Sequence, residues 1–333
     1  MGFPEIRMRE RRKDEEARKK YRETQLISLK DLIMPIFIKE GISIKKEIKS
    51  MPGIYQFPLK EAVAHARAVY ELGIPGVILF GIPKNKDESG SGVYNKRGIV
   101  VQAIRAIKNK VPGLCVIADV CLCEYTSHGH CGIIKKSKGA FTVDNDTTIE
   151  ILAKAALSYA EAGADTVAPS AMMDGQVKAI KEALRKRGFY KTKILSYCSK
   201  YASNFYGPFR DAAESPPQFG DRKAYQMDFY NSDEAVLEAR LDIEEGADML
   251  MVKPALGYQD IIYRIKKELK FPLACYSVSG EYSMIKAASL KGYLDEKKVV
   301  LEAFTGFKRS GADMIITYYA LEAAKWLKNK KKI

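Results

Sequence analysis

The phrase EAGADTVAPSA at residues 161–171 recurs as EEGADMLMVKPA at 244–255 and RSGADMIITYYA at 309–320, with a looser copy, ELGIPGVILFGI, at 71–82. Each copy closes an amphipathic helix on glycine and opens a short apolar strand within a few residues. Glycine there suits the left-handed conformation that ends a helix, so the phrase reads as the helix-to-strand joint of a parallel sheet. Between the copies lie further strand candidates, LIMPIFIKE (32–40), LCVIADVC (114–121), KILSYCS (193–199) and LACYSVSGE (273–281), which bring the count to eight. Their apolar runs are continuous, as strands covered on both faces require. Helical patterns separate them, among others Leu59 to Leu72, Thr147 to Ala162, Gln176 to Arg187, Asp233 to Glu245 and Tyr258 to Leu269. The pattern predicts an α/β fold, a (β/α)₈ TIM barrel over residues 26–333, with its chemistry at the C-terminal strand ends. A doubly wound open sheet is the alternative, weakened because no G-x-G-x-x-G follows the first strand.

Composition narrows the class. With 333 residues and 47% hydrophobic content the chain can bury a full core. No apolar run approaches the length of a membrane span, and MGFPEIRMRERRKDEEARKK at the N-terminus lacks the apolar centre of a signal peptide. The expectation is a soluble cytoplasmic protein with reduced thiols, in which Cys115, Cys198 and Cys275 sit in the core. Net charge is +14, from 55 Lys+Arg against 41 Asp+Glu. The excess lies at the ends, in Arg7 to Arg22 and in KNKKKI at 328–333, without an aromatic-interleaved basic patch. Such runs read as solvated arms and not as a nucleic-acid surface, and residues 1–25 read as an extended N-terminal arm too charged to join the barrel.

The predicted strand ends carry Asp119, Ser170, Lys200, Lys253, Ser279 and Tyr318 in order from the third strand to the eighth. Lys253 follows four apolar residues in MLMVKPA, so desolvation would lower its pKa and free its amine as a nucleophile. Lys200 ends the preceding strand, and two ammonium groups in one cavity repel, which suits one to Schiff-base formation and the other to proton transfer. A carbonyl substrate is expected. After the third strand comes ADVCLCEYTSHGHCGI (118–133), in which Cys121, Cys123 and Cys131 could close on one Zn²⁺ and leave a fourth position open. The spacing matches no structural finger, and buried structural thiols are the plainer reading. His128 and His130 could ligate, or could hold the loop by hydrogen bonds. A connection at about 203–232 without clear helical period reads as a lid carrying Tyr206, Phe209, Arg210, Arg222, Lys223 and Gln226. Guanidinium forks suit a substrate carboxylate, although either arginine could pair with Asp211 or Asp221 at the surface. A Schiff-base aldolase would use the lysines but has no need of three thiols.

The phrases DVCLC-Y-TSHGHCGI, APSAMMDG, SYCSKYASNFYGPFRDAAES, FGDRKAYQMD, ADMLMVKPA, YSVSGEY and ITYYAL together resemble the 5-aminolevulinic acid dehydratase (porphobilinogen synthase) family. The resemblance implies condensation of two 5-aminolevulinate molecules to porphobilinogen, with loss of two waters, in tetrapyrrole (heme) biosynthesis. It gives Lys253 the Schiff base and Lys200 the second active-site lysine. Ser279 and Tyr318 would hold the first substrate's carboxylate with Tyr276 packing nearby, and Asp119 and Ser170 would face its amino end. Arg210, Arg222 and Gln226 would clamp the second carboxylate, with Tyr206 and Phe209 lining the pocket. Retention of Cys121, Cys123 and Cys131 resembles the zinc-dependent branch, and Glu238 matches a position that binds an allosteric Mg²⁺ in some members. The resemblance further implies a homo-octamer in which the arm wraps a neighbouring subunit.

Overall fold

The computed structural model describes residues 7–24, 26–137 and 140–329. Eight parallel strands alternate with helices: β1 Leu32–Lys39, β2 Gly76–Ile82, β3 Cys115–Val120, β4 Thr166–Pro169, β5 Lys193–Lys200, β6 Met249–Lys253, β7 Leu273–Ser277 and β8 Met314–Thr317. Each pairs with the next, and β8 returns to β1 through Leu32↔Ile315 and Ile33↔Ile316, so the sheet closes into the expected barrel. The outer layer is α1 Leu59–Glu71, α2 Ile99–Lys110, α3 Asn145–Ala162, α4 Gln176–Lys186, α5 Asp233–Glu245, α6 Gln259–Leu269, α7 Ser279–Leu290, α8 Glu296–Arg309 and α9 Ala320–Asn329. Short strands Lys46–Glu47 and Tyr55–Phe57 extend the sheet beside β1, and an antiparallel hairpin, Ile133–Ser137 with Ala140–Asp144, follows the thiol loop.

The repeated phrase acquires a second meaning here. Its glycines, Gly163, Gly246 and Gly311, hold φ of 103°, 105° and 108°, the helix-ending conformation that only glycine adopts cheaply. Its aspartate is the new element. Asp165 Oδ2 accepts from Val116 N at 2.8 Å, Asp248 Oδ2 from Ile194 N at 2.9 Å and Asp313 Oδ2 from Leu273 N at 2.8 Å. In each case the aspartate N–H donates to the carbonyl of that same residue on the preceding strand. A lysine from the helix that leads into that preceding strand, Lys108 on α2, Lys181 on α4 or Lys266 on α6, donates to the same carboxylate. The bottom rim is therefore stitched by three copies of one clamp.

Three expectations change. The seventh strand stops at Ser277, and Ser279 opens a helix. Cys198 and Cys275 are buried, but Cys115, at the bottom rim beside the Asp165 clamp, is only partly so. The lid is not free of structure, for a 3₁₀ turn at Asn204–Tyr206 leads into a helix at Gly207–Ala212 with Pro208 in its first turn. Six residues are too few for a helical period to be read from sequence. The arm, where described, forms a 3₁₀ turn at Met8–Arg12 and a helix at Glu15–Lys20 capped by Asp14, and neither buries a side chain. Residues 1–6 and 25 of the arm, and 330–333 of the basic tail, lie outside the described residues. No helix among the described residues is long and apolar enough to cross a membrane.

Candidate active site

Register places the two lysines side by side, since Lys253 and Lys200 are direct partners across β6 and β5. Both are buried, 4% and 5% exposed. Lys253 Nζ stands in an aromatic box, 4.3 Å from the ring centre of Tyr276, 4.8 Å from Phe209 and 5.3 Å from both Tyr197 and Tyr206. Burial, and then repulsion from Lys200, pull its pKa down to about 7, against the attraction of Asp119. Burial also works against the Lys200 ammonium, but the Cys131, Cys121 and Cys123 sulfurs and Asp119 outweigh it and raise its pKa. Adjacent lysines are thus driven apart in basicity by what each faces. Lys200 Nζ donates to Ser170 O at 2.6 Å, and Ser170 Oγ donates to Asp119 Oδ2 at 2.9 Å. Burial and the Glu124 charge lift the Asp119 carboxyl to about 7, with both lysines and Ser170 opposing. Asp119 Oδ1 and the Tyr197 hydroxyl are buried without partners.

The thiol loop starts where β3 ends. Cys121, Cys123 and Cys131 are buried, their sulfurs lie within 4.8 Å of one another, and Cys121 and Cys123 are 3.4 Å apart. Among the described residues this is the one cluster of three or more potential metal ligands. Hydrogen bonding from Cys121 and then Cys123 holds the Cys131 thiol well below its ordinary pKa, with Arg222 and Lys200 adding attraction. Burial drives the Cys121 thiol well above its ordinary pKa; the Cys123 thiol is also raised well above, hydrogen bonding from Cys121 opposing while hydrogen bonding from Cys131 and burial prevail, so without a cation the cluster favours a single thiolate, at Cys131. The two histidines do not join the cluster. His128 Nδ1 accepts from His130 N and its Nε2 lies 3.1 Å from Glu88 O, while both ring nitrogens of His130 are engaged with the lid. Of the two roles open to them, hydrogen bonding is the one adopted.

The lid folds over the mouth by one apolar and several polar contacts. Phe209 packs on Phe80 at 5.2 Å and on Phe37 at 5.7 Å inside the barrel top. Phe209 N donates to Ser279 Oγ at 2.9 Å, and Ser279 Oγ reaches Phe205 O at 3.3 Å, so this hydroxyl is engaged by the base of the lid. Tyr206 Oη donates to Lys253 O, and the Tyr276 and Tyr318 hydroxyls meet at 3.0 Å. Arg222 is 4% exposed and Arg210 half-buried, and neither pairs with Asp211 or Asp221. Arg210 Nε, Arg222 Nε and both amide atoms of Gln226 are buried without partners. Unpaired buried polar atoms of this kind are costly, and a carboxylate ligand would satisfy the Arg210 Nε, Arg222 Nε and Gln226 Nε2 donors, while Gln226 Oε1 would need a donor.

Glu238 stands apart from this assembly. It is half-buried on α5 and lines a cavity of about 660 Å³ with Asp174, Glu234, Asp242 and Glu245. Burial, then the charges of Asp174, Glu234 and Glu245, lift its carboxyl to about 7. Those carboxylates do not converge as the thiols do.

Three features of the site had no functional reading from sequence. Glu124 is buried beside Cys123, whose Sγ donates to its Oε2 at 3.3 Å. Glu281 Oε1 accepts from Ala255 N and Leu256 N just past Lys253, and its Oε2 from Val278 N, joining the ends of β6 and β7. A glutamate at the third position of a helix, reaching back to the N-cap amide, was the available signal. Glu214, at φ 50°, ties the lid to the top of β1 through Lys39 and to the neighbouring short strand through Gln56, while Lys86 donates to its carbonyl.

The family model described as Delta-aminolevulinic acid dehydratase matches residues 5–326. Curated relatives of that name include one from Synechocystis sp., 55% identical over 98% of this chain and 100% of its own length. Another, from Archaeoglobus fulgidus, is 51% identical over 98% of this chain and 99% of its own. A crystal structure of the Toxoplasma gondii delta-aminolevulinic acid dehydratase (porphobilinogen synthase), in complex with the reaction product porphobilinogen, superposes with a TM-score of 0.95. It is 43% identical and covers 98% of this chain and 94% of that one.

Proposed function

This chain belongs to the delta-aminolevulinic acid dehydratase family, and from that premise we propose that it condenses two 5-aminolevulinate molecules to porphobilinogen with loss of two waters. The observation that carries the reading is the buried Lys253 amine, brought to about 7 and register-paired with Lys200. Near neutrality a large fraction of Lys253 is free amine, able to attack the ketone of the first substrate and expel water as a Schiff base. The resulting iminium draws electrons from the adjacent carbon. Lys200, whose ammonium is favoured by the neighbouring sulfurs, Cys131 foremost, and by Asp119, supplies and returns protons.

The remaining roles are those that the family resemblance implies for these positions. Tyr318 and Ser279 hold the first carboxylate, with Tyr276 against the carbon chain, and Asp119 with Ser170 receives the amino end. Arg210, Arg222 and Gln226, with their unpartnered donors, take the second carboxylate, so two small molecules meet as neighbours and not by collision. Tyr206 and Phe209 close the pocket against water. Three mutually close buried thiols suit Zn²⁺ in donor chemistry and number, and Cys121, Cys123 and Cys131 would hold it. Held there, zinc would supply Lewis-acid chemistry toward the second substrate. Mg²⁺ at Glu238 would relieve repulsion among the carboxylates of its cavity. The resemblance implies a homo-octamer in which the arm covers a neighbouring subunit, and the described part of the arm, which buries no side chain in its own chain, is compatible with that role.

The test is porphobilinogen formation from 5-aminolevulinate with and without a chelator, joined to borohydride trapping and peptide mapping. Formation that the chelator abolishes and zinc restores, with label on Lys253, is the expected result. Full activity in a zinc-free preparation would remove the thiols from the reaction. Label absent from both lysines would end the covalent reading.

A further inference from the structure

The loop that carries the thiols and the lid that carries the arginines are joined at His130. Its Nε2 lies 3.0 Å from Phe219 O and its Nδ1 3.1 Å from Tyr225 Oη. A carbonyl oxygen can only accept, so the network assigns the proton to Nε2 and leaves Nδ1 accepting from the tyrosine hydroxyl. The Tyr225 oxygen in turn accepts from the Cys131 amide at 3.3 Å. One neutral tautomer therefore satisfies both ring nitrogens, the hydroxyl and the amide of a thiol residue.

The two anchor points bracket Arg222. Its Nη2 donates to Gly129 O at 2.8 Å and to Ser215 O at 2.7 Å, while Nε stays unpartnered. Around this join the surfaces are in close contact. Gln218 N donates to His128 O at 3.0 Å, and the Phe219 and His130 rings lie 4.8 Å apart. A Cβ on Gly129, already at φ 72°, would stand 2.4 Å from Pro216 O. The histidine thus does more than stiffen its own loop.

We propose that His130 and Tyr225 are positioning residues for Arg222, joining the thiol loop to the lid so that metal binding and capture of the second carboxylate strengthen each other. The roles of Arg222 and the thiols rest on the proposed function. Linkage requires the coupling to be reciprocal: whatever factor the ligand adds to metal affinity, the metal adds to ligand affinity.

Tyr225→Phe keeps the ring and removes both hydrogen bonds of the hydroxyl. Zinc affinity of the full-length chain is measured by competition with a chromophoric chelator, with and without porphobilinogen, which carries both substrate-derived carboxylates. In the parent chain the product tightens zinc by about tenfold, and in the variant by less than about twofold. Hydrogen exchange across residues 215–227 slows on zinc addition in the parent and not in Tyr225→Phe, and His130→Gln, which can still donate to Phe219 O, falls between. Equal coupling in parent and variant overturns the proposal. So does zinc-independent exchange at 215–227 in the parent. Borohydride trapping at Lys253 stays unchanged in both variants; its absence from the parent would count against the function reading, while exchange alone still decides the join.

Discussion

The two rims of the barrel use the same kinds of residue for opposite ends. At the bottom, Asp165, Asp248 and Asp313 are each matched to a lysine and a backbone amide, in three copies of one geometry. At the top, Asp119, Arg210, Arg222 and Gln226 are left with buried atoms that nothing among the described residues satisfies, and no single geometry recurs from strand end to strand end: even the two lysines that end β5 and β6 face different partners. Carboxylate and cation satisfied on the spot make a joint, whereas carboxylate and cation held short of satisfaction make a site. Stability resides in repetition here, and chemistry resides in the departures from it. Clamps of the first kind are half-exposed and individually weak; groups of the second kind are desolvated and strongly perturbed.

The contrast can be broken most severely at Lys253. Lys253→Met should lower the rate of porphobilinogen formation by about 10⁴-fold or more and abolish borohydride trapping. Its melting temperature should hold or rise, because a desolvated amine beside a second ammonium gives way to an apolar chain of similar length. A falling melting temperature would mean that the top rim also holds the fold together. Arg222→Lys keeps the charge but loses the fork, and should cost about 10- to 100-fold in kcat/KM, mostly through KM, in steady-state assays. An unchanged KM would remove Arg222 from the second carboxylate.

A third prediction concerns pH. With Lys253 at about 7, the yield of trapped Schiff base should rise through neutrality and level off, well below the ordinary lysine range. The same shift has a thermodynamic face. Between about 7 and the unfolded value of about 10.4 the unfolded chain binds the extra proton, so this residue's contribution to stability improves as pH rises through that window. Its penalty is fully present below the window, and Lys253→Met should flatten the slope in denaturant titrations. The smallest effect is expected at the bottom rim. Asp248→Ala should lower stability by about 1 kcal/mol, discounted because the pair is partly exposed, with kcat and KM unchanged. A changed kcat would show that the rims are not independent.

Much of this division could be read before the structure. Runs such as MLMVKPA announce both a buried strand and the lysine at its end, because a barrel strand's position and its chemistry are written in consecutive residues. Three thiols within one loop are legible for the same reason. What escaped is what depends on contacts between distant segments. Nothing local to Tyr225 says that its hydroxyl meets the Cys131 amide, and nothing near Glu214 says that it meets Lys39. Glu281 was hidden differently: the β-branched and aromatic residues of LACYSVSGE extended the strand on paper past Ser277, and so concealed the helix start that gives the glutamate its task. The aspartates of the repeated phrase were visible as a pattern, but their partners lie one strand back.

Those aspartates have a consequence for how the barrel comes apart. Asp165 joins β4 to β3, Asp248 joins β6 to β5 and Asp313 joins β8 to β7, while the seams between β4 and β5 and between β6 and β7 have no such clamp. At its bottom rim the barrel therefore carries three internally fastened strand pairs, β3–β4, β5–β6 and β7–β8, while the seams between them are crossed by side chains at the top rim instead, Lys200 to Ser170 O between β5 and β4 and Glu281 between β6 and β7. Partial opening under mild denaturant should follow those seams, releasing amides in pairwise blocks.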